Sequence, residues 1–527
     1  MFWADKIAAE AKERSKEKGQ SGKIVVRDEK TVSGRVHVGS MRGAAIHGAI
    51  HETLDAEGVA NAFLWEHNDF DPMDDIPVYL DRAKFEPYLG MPLKNIPSPV
   101  GGFASYADYF AKEFQTVIEN AGFHPEFYWG SEWYESGKMD DAIRKALDNA
   151  AIIRKIYKEV SGSDRKEGWL PLNVICPSCG KVTTTDATEW DGTTVQVNCY
   201  LTKVEYTAGC GFSGRVSPFG GKAKLPWKVE WPAKWMIHSV TVEGAGKDHS
   251  TRGGSRDVAL HIAKEVFNYE APIDVPYEFL LVGGKKMSSS KGRGSSAAEI
   301  AALIPAKIFR LALLGKDISQ QFNFDPEGDT IPVLYDLYDK LFEGYKTVTD
   351  DDYAKLFLLI HPGRKLPVPD TFMPRFSQVA FIVQMPHLNI EREIEALKGS
   401  PLNDHDKTEL SERAEYAKKW IEECAPEKFV FKLQDTLPEA AAHLSEAQKT
   451  ALKELAAYTQ SSLPMPTGED IQQKLFDIKD ELKIAPSELF GALYLAFLGK
   501  TYGPKIGWFL SVLDKDFVLK RLQEASQ

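Results

Sequence analysis

Cysteine is scarce in this chain. Five occur in 527 residues; Cys176, Cys179, Cys199 and Cys210 crowd into one stretch, and Cys424 stands alone. That usage excludes a disulfide framework and leaves a local metal site as the natural use of the crowded four. Long apolar runs are missing too: none spans a bilayer, and the opening MFWADKIAAEAKERSKEKGQ alternates apolar and charged residues at helical spacing without the apolar core of a signal peptide. No membrane partner is expected, and the cytoplasm is the expected compartment. Positive charge is in deficit, with 64 Lys and Arg against 76 Asp and Glu and a formal net charge of −12. This excludes coating of nucleic acid by bulk electrostatics and leaves room for a restricted basic face. Low-complexity tracts and internal repeats are absent as well. A chain of 527 residues is too long for one core and is expected as three or four domains.

What is present alternates. GKIVVRD, residues 22–28, reads as a short strand, residues 39–57 as a helix, NAFLWEHNDFD as a second strand ending in carboxylates, and EFYWGSEWY as a third after the helical SYADYFAKEFQTVIENAG. Such alternation predicts an α/β, Rossmann-type parallel sheet with helices on both faces. Between residues 168 and 226 the texture turns to Thr, Gly, Cys and Pro with hairpin-like alternation, a β-rich insertion that splits the sheet domain into residues 1–167 and 227–296. Residues 297–350 read as a helical connecting segment and 351–527 as an all-α domain.

Two glycine-rich stretches flank the insertion. TVSGRVHVGSMRG, from Thr31, follows the first strand and opens a helix, so Gly34 and Gly39 let a ligand approach the backbone and the helix N-terminus favours an anion. His37 at that junction is placed to donate to a phosphate oxygen as charge builds there. Alone, the stretch also fits a Gly-Ser turn with a histidine capping a helix. LLVGGKKMSSSKGRG, residues 280–294, follows the last strand and sets Lys285, Lys286 and Lys291 among Met287, Ser288, Ser289 and Ser290, a loop suited to closing on a polyphosphate. Between them GAGKDHSTRGG puts Gly246, Asp248 and His249 at a turn where a sheet of this kind meets a nucleotide. Asp69 and Asp71 end the second strand, where they can hold an ammonium or cap a helix. Trp231, Trp235 and Tyr277 are aromatic candidates for an apolar sleeve.

The paired motifs resemble the His-Ile-Gly-His and Lys-Met-Ser-Lys-Ser signatures of class I aminoacyl-tRNA synthetases. Further stretches, HNDFDPMDDIP, WPAKWMIHSV, APIDVPYEFLLVGGKKMSSSKG and LYDLYDKL, are similar in order to class I lysyl-tRNA synthetases of the archaeal and spirochaete type, over most of the chain. The resemblance implies L-lysine, lysine tRNA and ATP with Mg²⁺ as partners, His37, Lys286 and Lys291 as catalytic residues, and Gly34, Gly39, Ser40, Gly246, Asp248, His249 and residues 287–290 around ATP. It also implies Thr31, Asp69, Asp71, Trp231, Trp235 and Tyr277 around lysine, a monomer, and an anticodon-binding role for 351–527. Two departures stand out. Ser40 occupies the fourth position of the first motif, often histidine. In the insertion, Thr207 stands where a second Cys-x-x-Cys pair would begin, so a Zn²⁺ site needs Cys199 beside Cys176, Cys179 and Cys210. A glutamyl enzyme would share the ATP motifs, with an arginine expected in the pocket. A small nucleotidyltransferase would need neither the second motif nor the helical tail. A non-catalytic tRNA-binding relative would share the whole architecture.

Overall fold

The computed structural model describes residues 2–17, 22–284, 296–347, 351–385 and 388–527. They form two compact units, Met1–Phe324 with Leu341–Leu366, and Asp325–Lys340 with Pro367–Gln527. Residues 297–350 thus contribute to both.

The first unit is built on a parallel sheet. β1 (Ile24–Thr31) pairs along its whole length with β2 (Asn61–Asn68), and β2 with β3 (Glu126–Trp129). On the other side of β1, single parallel bridges link Val26 to Val242 and Val242 to Ile273. The spatial order is therefore β3, β2, β1, the Val242 segment, the Ile273 segment. The chain order reverses at β1, so a crevice opens between the carboxyl ends of β1 and the Val242 segment, where sheets of this class bind ligands. Beyond it, Ala245–Gly246 runs parallel to Pro276–Tyr277 and Leu280–Val282 parallel to Phe322–Phe324.

The helix Met41–Ala56 crosses from β1 to β2 and is buried along most of its length. Two glycines allow it to lie that close to the sheet. A Cβ on Gly43 would fall 2.5 Å from Asp28 Oδ2 and 2.7 Å from the Tyr277 hydroxyl, and one on Gly48 2.4 Å from the Phe123 ring. The helix Tyr106–Asn120, capped by the Ser105 hydroxyl on the Asp108 amide, makes the second crossover.

The insertion is a small antiparallel module. Asn173–Val174 pairs with Ala223–Lys224 at its neck, and Thr185–Thr188, Val195–Cys199 and Ser213–Val216 form a meander within it. It does not keep a core of its own. Val195, Val197, Ala223 and Leu225 join Ile143, Ala146, Ile153 and Ile156 of the helices Asp140–Asp148 and Ala150–Ser161 in one apolar cluster.

Every element among the described residues of the second unit is helical. Its longest helix, Asp404–Glu423, buries Arg413 against Glu409 and Asp339 and packs Trp420 in the core.

Candidate active site and metal centre

Where β1 ends, the chain turns through buried Gly34 to His37, which opens the turn Val38–Ser40 leading directly into Met41–Ala56. The Ser40 amide donates to the His37 carbonyl at 3.0 Å. Both anchors of the Lys-Met-Ser loop meet this turn. Before the loop, the Leu280 carbonyl would lie 3.2 Å from a Cβ placed on Gly39, and the His37 ring 2.9 Å from it, so glycine is what fits there. After the loop, Ser296 forms an antiparallel bridge with His37, and the Ala297 amide donates to the Val36 carbonyl at 2.8 Å. Ser296 then starts the helix Ala297–Ala302 with a capping box to Glu299. Lys285, Lys286, Met287, Ser288, Ser289, Ser290 and Lys291 lie outside the described residues.

The opposite lip of the crevice is the glycine turn after Val242. The Gly244 amide donates to His47 Nε2 at 2.9 Å, so the proton sits on His47 Nδ1, 2.8 Å from the Gly43 carbonyl and 3.2 Å from Asp28 Oδ2. A fully buried imidazole thus ties Met41–Ala56 to this turn. Gly246 follows beside Tyr277, and His249 donates its amide back to the Gly246 carbonyl. Asp248 is exposed on the turn. The His249 ring stands edge-on to Trp227 and Trp231, 6.3 and 6.1 Å between centroids. Trp231 donates its indole N–H to Glu243 at 2.8 Å, and both Trp231 and Trp235 are enclosed with Val25, Val240, Ala259 and Ala263.

Behind Trp231 lies a buried ion cluster that the motifs did not announce. Arg27, at zero exposure, pairs with Glu29, with Glu66 at 2.6 Å and with Glu243 at 2.7 Å. Lys234 reaches Glu66 at 2.6 Å, Glu29 at 3.3 Å and Glu230 at 3.5 Å. Lys224, from the neck of the insertion, bridges Glu230 at 3.2 Å and Asp71, and Asp71 accepts from the Thr31 hydroxyl at 2.7 Å. Tyr128 and Tyr134 donate to Glu66 and Glu230. Five carboxylates share three cations. Burial pushes the Glu29 carboxyl up to about 7 against the opposing pull of Lys234 and Arg27. At Glu66 the same two cations overcome burial and hold the carboxyl at about 2. Asp69 stands apart: it accepts from the Ser131 amide at 2.9 Å and hydroxyl at 2.6 Å, at the start of the helix Gly130–Glu135. Burial pushes it up.

The sequence carries one signal for this cluster. β1 reads Ile24–Thr31, IVVRDEKT, and a strand with neighbours on both sides is expected to be apolar throughout. Arg27, Glu29 and Thr31 recur with period two on one face, while Asp28 on the other meets His47.

The sulfurs of Cys176, Cys179, Cys199 and Cys210 lie within 4.8 Å of one another, with 3.6 Å between Cys176 and Cys210 and 3.8 Å between Cys179 and Cys199. The Cys210 amide and the Thr184 hydroxyl approach Cys199 Sγ at 3.3 and 3.2 Å. Thr207 instead takes the ammonium of Lys181 at 2.6 Å.

A split parallel sheet with a histidine turn at its crevice, met there by the residues on both sides of the segment 285–295, is the arrangement of a class I tRNA synthetase. Residues 1–360 match the family described as tRNA synthetases class I (K), and residues 391–526 match an anticodon binding domain. The chain is 33% identical to a lysine-tRNA ligase of Methanosarcina barkeri, over all of this chain and 98% of that protein. It is 32% identical to those of Methanocaldococcus jannaschii, over 99% of each chain, and Archaeoglobus fulgidus, over all of both. The chain belongs to the class I lysyl-tRNA synthetase family.

Proposed function

We propose that this chain activates L-lysine with ATP and transfers the lysyl group to the 3′ end of lysine tRNA. The lysine carboxylate attacks the α-phosphorus, pyrophosphate leaves, and a terminal ribose hydroxyl of the tRNA then displaces AMP from the adenylate. What supports this most is the hinge: the loop holding Lys286 and Lys291 leaves and returns at the turn that presents His37. The His37 imidazole N–H at this turn, with the lysines of that segment, would stabilise charge on the migrating phosphates more in the transition state than before it. Mg²⁺ enters with the nucleotide, as in class I synthetases generally. Gly34, Gly39 and Ser40 line the approach from one side, and Gly246, Asp248 and His249 from the other, and the family resemblance assigns residues 287–290 to the nucleotide as well.

In this reading, lysine lies between Thr31, Trp231 and Tyr277. Its ammonium is drawn by the excess of carboxylates over cations behind them. Asp71 acts through Thr31 and Lys224, Asp69 holds the Gly130–Glu135 helix in place, and Trp235 backs Trp231. Residues 351–527 take the anticodon. The insertion holds Zn²⁺ through Cys176, Cys179, Cys199 and Cys210. A tetrahedral thiolate site with Zn–S near 2.3 Å has sulfur–sulfur edges of about 3.8 Å, and amide donors to sulfur are its usual support.

ATP–pyrophosphate exchange across the amino acids, with and without tRNA, tests the reading. Lysine-dependent exchange is expected, with His37→Ala slowing it by about 10²-fold while the KM for lysine stays within a few-fold. Exchange with glutamate alone, or tRNA binding with no exchange for any amino acid, would replace it.

A further inference from the structure

Two strips of short contacts run from the cysteine cluster to Asp71. The first passes through the neck of the insertion. Cys176 comes two residues after Asn173–Val174, and that strand pairs with Ala223–Lys224. The Ile175 amide donates to the Lys222 carbonyl at 2.9 Å, and the buried Thr185 hydroxyl donates to the Val174 carbonyl at 2.6 Å. Its neighbour Thr184 is the residue that meets Cys199 Sγ. The strand fixed in this way delivers Lys224, 2% exposed, to Asp71 and Glu230.

The second strip passes through the knuckle itself. The Gly180 amide donates to the Cys176 carbonyl at 2.8 Å and the Cys176 amide to the Lys181 carbonyl at 2.9 Å, so the turn that carries Cys176 and Cys179 closes on itself. Its exit is laid on residues 90–93, where the Val182 amide donates to the Gly90 carbonyl at 2.6 Å. Only glycine suits position 90: its φ is +87°, and a Cβ would fall 2.7 Å from the Thr183 hydroxyl and 3.1 Å from the Thr207 methyl. Thr207, where a cysteine is expected, thus packs on this seam. The Gly90 amide in turn donates to the Met73 carbonyl at 2.8 Å, and the Leu93 amide to the Asp71 carbonyl at 2.9 Å. Lys224 therefore holds the carboxylate of Asp71 while the seam holds its main chain, and both holds begin at cysteine-bearing turns.

We propose that metal at the cysteine cluster governs affinity for the amino acid, with the insertion as a positioning element of the lysine end of the site and Lys224 as its positioning residue. The proposal rests on the lysine and zinc readings above and adds the coupling between them. A tetrathiolate metal site holds residues 176–179 tightly against 199 and 210, whereas thiol contacts of 3.6 and 3.8 Å are weak. Loosening there reaches Asp71 from two sides, and with it the Thr31 hydroxyl at the end of β1. The nucleotide side is anchored elsewhere, by the helix Met41–Ala56 and by the bridge of His37 to Ser296. Lysine binding should feel the metal, and ATP binding should not.

The test is calorimetric binding of L-lysine and, separately, of ATP to the full-length protein, as purified, after removal of zinc by a chelator, and after its restoration. Zinc removal should weaken lysine binding about 10-fold and ATP binding by no more than about two-fold, and added zinc should reverse the loss. Lys224→Met should weaken lysine binding by about 10-fold or more and leave little for zinc removal to add, because both act through Asp71. Lys224→Arg, which keeps the cation, should stay within a few-fold of the parent. Thr185→Val cuts the neck contact without touching a charge and serves where Lys224→Met does not fold: lysine binding should weaken a few-fold with zinc content unchanged. Lysine affinity independent of zinc, protein that carries none, or equal losses for lysine and ATP overturn the coupling. A zinc-loaded parent that binds no lysine, with exchange for another amino acid, is instead the failure of the proposed activity, and the coupling falls with it.

Discussion

The ion cluster behind β1 and the cysteine cluster of the insertion meet one difficulty, several anionic or acidic groups packed together, in opposite ways. Glu29, Glu66, Glu230, Glu243 and Asp71 find their countercharge within the chain, in Arg27, Lys224 and Lys234. Among the described residues the four sulfurs have none. The nearby Lys181 spends its ammonium on Thr207 and the Ala208 carbonyl, and Cys179 and Cys199 face each other at 3.8 Å. Folding completes the first cluster up to its excess of carboxylates, whereas the second is the set to which the proposed function assigns Zn²⁺. The first is therefore tested by mutation and pH, and the second by metal analysis.

The sharpest way to break this comparison is to remove the central cation. Lys234→Met strips Glu29, Glu66 and Glu230 of a shared partner in a site nearly without water, and should cost about 3–5 kcal/mol in urea unfolding. A loss below about 1 kcal/mol, as for a surface pair, would mean that the cluster is hydrated in solution.

The two clusters also differ in how plainly the sequence discloses them. The cysteines are close along the chain and chemically distinctive, so the crowding of four is legible from spacing and residue type, while Cys199 in place of a residue at position 207 is legible only against the family resemblance. The ion cluster gathers positions from 27 to 243 contributed by three strands, a helix and the neck of the insertion, and only the polar period in β1 hints at it. The sheet, the split by a β-rich insertion and the helical second unit follow from periodicity. What does not follow is that Asp71 is claimed by Lys224 and Asp69 by Ser131, because a carboxylate's partner depends on long-range packing that no local pattern encodes. Trp235 shows the same limit: its helical spacing with Trp231 is plain, but that both indoles are enclosed with Val25 and Val240 depends on how the helix packs on the sheet.

On the cysteine side, purified protein should carry one zinc per chain by elemental analysis, and Cys179→Ser should abolish it. Because Val195 and Val197 share a core with the helices Asp140–Asp148 and Ala150–Ser161, metal loss should also lower the thermal midpoint by a few degrees instead of releasing a separate module. Fresh protein free of metal would make the four sulfurs an inert packing group and end the contrast.

The excess of carboxylates predicts a pH dependence of opposite sign to ordinary acid unfolding. A Glu29 carboxyl near 7 in the folded chain and near 4.5 when unfolded binds its proton more tightly in the native state across that window. Its contribution is then fully favourable below about pH 4.5 and is lost as the pH rises through 7. Glu29→Gln, which stays neutral, should leave stability unchanged at pH 5 relative to the trend of the parent and raise it by about 2 kcal/mol at pH 8. A parent and variant with parallel stability curves from pH 5 to 8 would place Glu29's titration outside this range.

The smallest change probes the point where the cluster meets the crevice. The Thr31 hydroxyl donates a hydrogen bond to Asp71 Oδ2, and the other oxygen is held by Lys224, so Thr31→Val removes one donor from a carboxylate that keeps its ion pair and leaves the side-chain shape nearly intact. Stability should fall by only about 1–2 kcal/mol, the usual loss for a hydrogen bond to a charged acceptor. Function should respond more selectively: if Thr31 and the carboxylates behind it fix the lysine end of the site, the KM for lysine should rise about 10-fold while that for ATP stays within two-fold. Equal rises in both would mean that the hydroxyl only fixes the end of β1, from which the chain runs into the His37 turn, and that the excess negative charge is not what selects the amino acid.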